Sequence, residues 1–163
     1  MSNCCSLHRM PRAGVDPIDS EQAALCVLDM VVSRPLRHET FALLLDEQRR
    51  GISIMVVSGT IPFDSLFDVI DVIIDRVVEV EDLRALVLFT VRPPVPGVPD
   101  LDELDVDRWL EASAMLDDAG IELLEWFVGG ASITSPRDLL GEPPRWTGAE
   151  ADHVCRGRCD PTV

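Results

Sequence analysis

Residues 85–103, ALVLFTVRPPVPGVPDLDE, decide how the rest of the chain is read. The run from Ala85 to Val91 is apolar apart from Thr90 and has the length of a strand, as expected where both faces of a sheet are covered. Four prolines and one glycine then turn the chain between Pro93 and Pro99. The carboxylates Asp100, Asp102 and Glu103 favour a helix start just beyond. In α/β domains ligands usually bind at such a junction, where loop and helix N-terminus project from the carboxyl end of a buried strand.

Upstream, Phe63, Leu66, Phe67, Ile70, Ile73, Ile74 and Val77 repeat at three and four residues and predict a helix after Pro62. Asp64, Asp68, Asp71 and Asp75 line its other side, as a solvated face or a docking surface. Earlier still, apolar residues 41–45 and 52–57 flank DEQRRG and predict a hairpin, with Gly51 free to take positive φ at the turn. Asp16 as N-cap and Pro17 at the first helical position predict a helix with Ala24, Val27, Leu28 and Val31 on one face, ending before Pro35. Cys26 falls in the apolar pattern of that helix and reads as core.

Downstream, Asp100 or Asp102 is expected to cap a helix that sets Val106, Trp109, Leu110, Ser113 and Leu116 on one side and stops at Gly120. Residues 121–128 read as a strand with one partly polar face from Glu122 and Glu125. Ile133 begins a short last strand, and SPRDLLGEPPRW reads as an irregular segment anchored by Leu139, Leu140 and Trp146. The expected architecture is one α/β domain over residues 16–146, a mixed sheet with helices on its faces. A flexible arm precedes it (1–15) and a polar tail follows (147–163).

A chain of 163 residues is long enough to bury a substantial core as one domain. The net charge of -15 opposes a polyanionic partner, because phosphate binding needs Lys and Arg to displace counterions. Nucleic acid is therefore not expected. No apolar run approaches the ~18 residues of a membrane span, and the N-terminus lacks the apolar core of a secretory signal. A cytoplasmic location is the default expectation, with a protein or small molecule as partner. Cys4, Cys5, Cys155 and Cys159 lie in the terminal segments, where with His8 and His153 they could form a zinc clip if the tails meet; incidental thiols are the simpler account.

Element order and several local strings resemble the RadC-like branch of the JAB/JAMM (MPN) metalloprotease superfamily, over about residues 33–140. Its signature is a histidine, any residue, a histidine followed by proline, then a serine eight positions past the second histidine and an aspartate three further on. The corresponding positions here are Thr90, Val91, Arg92, Pro93, Asp100 and Glu103, with no gap. HETFALLLD resembles the segment of the catalytic glutamate, which would be Glu39. EWFVGG, with Trp126, stands where the family has an Asp-His-containing strand. The resemblance implies a zinc-activated water with a glutamate as general base.

The residues at those positions do not suit zinc. A guanidinium cannot be deprotonated, so Arg92 offers no lone pair. Its charge ~4 Å from a divalent ion would cost ~8 kcal/mol at an effective dielectric of ~20, against ~10–16 kcal/mol for a complete structural zinc site. The expectation is therefore a degenerate, non-catalytic member with no cofactor. Arg92 would pair with Glu39, Asp100 or Glu103, and Arg92, Thr90 and Trp126 would be the residues nearest a ligand or partner. The alternative is a metal-dependent hydrolase in which Glu39 is the base and Asp100 and Glu103 are oxygen ligands.

Overall fold

The computed structural model describes residues 9–77, 80–130 and 132–146. In chain order these form α1 (Glu21–Asp29), β1 (Glu39–Leu45), β2 (Gly51–Ser58), α2 (Ser65–Val77), β3 (Ala85–Val91), α3 (Asp105–Asp118), β4 (Glu122–Gly129), β5 (Ile133–Thr134) and α4 (Pro136–Leu140). The strands make one mixed sheet in the order β2-β1-β3-β4-β5, with β3 and β4 parallel and the other pairs antiparallel. The parallel pair follows from the connection between its strands: α3 returns the chain to the same end of the sheet, as a parallel crossover requires. Among the described residues no helix is long and apolar enough to cross a membrane.

Each face of the sheet carries its own core. On one, Ala42, Leu44, Leu86, Leu88 and Trp126 meet Leu66, Ile70 and Ile73 of α2 and Trp109, Ala112 and Leu116 of α3. On the other, Phe41, Leu43, Val87, Phe89 and Phe127 meet Ile18 and the α1 residues Ala24 and Leu28. β1 and β3 lie between the two, and every residue of both is buried. The three- and four-residue spacing of Leu66, Val69, Ile70 and Ile73 presses α2 onto the sheet. Each such side chain contributes about 1.5–3 kcal/mol, so Ile70→Ala should cost about 2–5 kcal/mol.

Four local expectations are corrected. α1 begins after Ser20, whose Oγ accepts the Ala23 N–H (3.2 Å). Asp16 is held instead by the N–H and guanidinium of Arg12, and Pro17 bridges Arg50. At the hairpin, Arg49 takes the positive φ (62°), while Gly51 is the first residue of β2. α3 starts at Asp105 with Leu104 as an N-cap that offers no side-chain bond, and Leu110 on that helix is 46% exposed.

The segment after β5 is also more ordered than expected. Ser135 caps α4, Pro136 and Arg137 are its buried residues, and Leu139 and Leu140 are exposed. Trp146 packs, half-buried, against the α1-side core. Arg137 Nε pairs with Glu125 (2.7 Å), which Ser135 Oγ also contacts (2.5 Å), so the carboxylate expected on a partly polar face is wholly enclosed. Cys26 is buried as expected. Cys4, Cys5, Cys155, Cys159, His8, His153 and the 147–163 tail lie outside the described residues.

Candidate functional site

Arg92 leaves β3 at the carboxyl end of the parallel pair, its N–H bonded to the Gly129 carbonyl of β4 (2.6 Å). Its side chain turns toward α3. Nη1 and Nη2 reach Asp105 Oδ2 and Oδ1 at 2.5 and 2.9 Å, and Nη1 also donates to the Asp100 carbonyl (3.1 Å). Asp105, fully enclosed, additionally accepts the Asp102 N–H (2.7 Å) and Arg108 Nη1 (3.1 Å). Arg108 extends the cluster to Asp102 (2.6 Å) and Asp64 (2.8 Å). Phe63 closes it over, its ring centre 4.1 Å from the Arg92 guanidinium carbon and 5.5 Å from that of Arg108.

Burial by itself would lower the Arg108 pKa, but the hydrogen bonds it donates to Asp102, Asp64 and Asp105 more than offset it, and the net shift is upward. Asp102 is held below the ordinary carboxylate value, first by the Arg108 hydrogen bond. Two cations and three carboxylates thus join strand end, turn and both helix starts. The Arg92 partner is Asp105 rather than the side chains of Glu39, Asp100 or Glu103. Asp105 escapes a sequence reading because an acid in a first helical turn is adequately explained by the helix dipole. Arg108, three residues further along the same face, was the available signal.

Thr90 is committed elsewhere. Its Oγ1 accepts Trp126 Nε1–H (3.0 Å) and lies 3.3 Å from Thr40 Oγ1, which donates to Thr60 Oγ1 (3.1 Å). With the Thr40 proton spent on Thr60, the proton between Thr90 and Thr40 belongs to Thr90. Trp126 and Thr90 are therefore bonded to each other, and Trp126, expected near a ligand, is fully buried and presents no ring face to solvent.

Glu39 lies on the opposite face of the sheet. Successive strand residues face opposite sides. Thr40 meets Thr90 on the α2–α3 side, so Glu39, like Phe41, points to the α1 side. There Oε1 accepts Ser33 Oγ (3.1 Å) and Ser58 Oγ (3.4 Å), while Oε2 is buried without a partner. Asp100 takes the N–H and Oγ of Ser132 (3.0 and 2.9 Å), and Glu103 is exposed. Among the described residues no three His, Cys, Asp or Glu side chains are grouped to hold a metal ion. The residues at the positions that the resemblance assigns to zinc do not fit that ion: a threonine already bonded to tryptophan, and a cation.

The end of β4 fits closely against the turn. A Cβ on Gly130 would overlap the Asp100 carboxylate and lie 2.6 Å from the Arg92 carbonyl. Only glycine allows that approach. No family model matches this chain, and a search of curated proteins finds no match either.

Proposed function

We propose that this chain is a degenerate RadC-like JAB domain, a non-catalytic module that binds another protein or a small ligand. The observation that carries the reading is the enclosed Arg92–Asp105 pair at the position of the family's second metal-binding histidine. Within residues 33–140 a hairpin and then alternating helices and strands follow one another, the element order on which the resemblance rests. The placement of Glu39 across the sheet argues against its serving as a base beside Arg92. The exposed stripe Asp68, Asp71 and Asp75 on α2 is the candidate docking face, suited to a basic partner surface.

Metal content of the purified protein tests the reading. The expectation is no stoichiometric metal, no heat of zinc binding, and a melting temperature unmoved by chelator. One metal per chain, lost on Asp100→Ala or Glu103→Ala and accompanied by peptide hydrolysis, would replace the binding module with a metal-dependent hydrolase.

A further inference from the structure

β2 ends the sheet on one side; β4, with its two-residue neighbour β5, ends it on the other. The β4 margin is sealed by side chains. Glu125 Oε1 accepts the Trp126 N–H (3.1 Å), and Arg145 Nη1 donates to the Leu123 carbonyl (3.2 Å). Covering an edge in this way stops another strand from adding to it. The β2 margin differs. Gly14 donates to the Gly51 carbonyl (3.1 Å), but beyond that point, among the described residues, residues 52–58 pair with β1 alone.

The ladder determines which backbone groups point outward. Gly59 N–H bonds to the His38 carbonyl (2.8 Å). In an antiparallel ladder hydrogen-bonded pairs alternate with pairs whose N–H and C=O turn away. Counting inward from His38 and Gly59, Thr40 with Val57 and Ala42 with Met55 are hydrogen-bonded pairs. Ile54, Val56 and Ser58 therefore direct their N–H and C=O groups away from the sheet. The strand reads GISIMVVS, without charge or proline, in a chain of net charge -15. Ile52 and Val56 are exposed.

We propose that β2 is a homodimer interface, pairing antiparallel with β2 of a second copy about a two-fold axis at Val56. That register sets Val56 against its own copy and Ile54 against Ser58, so the outward N–H and C=O groups satisfy one another reciprocally. A strand meeting itself about a two-fold axis is self-complementary by symmetry. Two strongly acidic molecules approach closely only where their surfaces hold no like charges, and this strip holds none. A basic partner would gain nothing from a strip without carboxylates. The sealed β4 margins end up on the outside, so association stops at two.

Sedimentation of the full chain should give twice its 18.0 kDa mass at high concentration and a single chain on dilution. Exchange of the Ile54, Val56 and Ser58 amides should slow as concentration rises, while the Met55 and Val57 amides, which face β1, stay constant. Val56→Lys sets two ammonium groups against each other, and Val56→Pro removes an outward donor while sparing the β1 ladder. Each should raise the dissociation constant roughly tenfold or more. A monomer at every concentration, a dimer indifferent to both variants, or open-ended assembly would overturn the proposal. So would protection of the Val56 amide that does not vary with concentration, the result expected if residues 1–8 cover the edge.

Discussion

Arg92 and Asp105 grip each other through two parallel contacts, joining the last turn of the β3 exit to the first turn of α3, with side chains 8% and 0% exposed. Removing one partner strands the other charge away from water. Arg92→Met or Asp105→Leu alone should each lower the unfolding free energy by about 3–5 kcal/mol, and the double variant should cost clearly less than their sum. Urea titration of the four proteins decides it; strict additivity would mean that the pair does not act as a unit.

Glu39 gives a contrasting case. Oε1 carries both serine hydrogen bonds and Oε2 carries none. Glu39→Gln keeps an acceptor for Ser33 and Ser58, so stability should change by less than about 1 kcal/mol. Glu39→Ala leaves both hydroxyls without their acceptor and should cost about 1–3 kcal/mol. Thermal melting of the two variants would separate an acceptor role from a requirement for charge.

Acid stability should depend on Asp102. Its pKa is lowered from the ordinary 3.8, chiefly by the Arg108 hydrogen bond. A lowered carboxylate stabilises the fold at pH above its unfolded value, and that contribution disappears as pH falls through the folded value. Asp102→Asn should therefore flatten the acid limb of a stability profile. Glu21 works the other way. Partial desolvation, with Glu125 and Asp138 nearby, raises its pKa above 4.5 although the residue is exposed, so its contribution is full below that value and lost as pH rises through the folded one. Glu21→Gln should stabilise at about pH 7 and have no effect at about pH 3, measured by urea midpoints.

Gly130→Ala tests the fit of β4 against the turn. The new methyl meets a carboxylate and a backbone carbonyl, of which only the first can swing away. A loss of about 1–3 kcal/mol is expected. Adding Asp100→Ala should recover part of it, since the Arg92 carbonyl stays in place.

Much of the fold was legible because its signals are local. The apolar run of β3, the periodicity of α2 and the paired runs of the hairpin each identify one element. Helix starts were less so: Asp16 with Pro17 reads as a cap, but Arg12 holds Asp16 and Ser20 caps α1 instead. At the site, the order of strand, turn and helix was read correctly, while the start of α3 and the partner of Arg92 were not. That pairing depends on how residues 93–104 fold back, which neighbouring residues do not specify. The side on which Glu39 lies is a matter of parity: shifting β1 by one residue against β3 would exchange its faces, and nothing within HETFALLLD fixes that register.

The proline-rich turn is secured at both ends, by the Arg92 N–H on Gly129 and by the Asp100 carboxylate on Ser132, with glycine contact between. Both ends of the turn are thus tied to β4 and the residues that follow it. Val95 and Val98, each 57% exposed, stand along the crest of the turn. This end of the sheet therefore offers an approaching molecule two exposed valines, while the Arg92 charge behind them is enclosed.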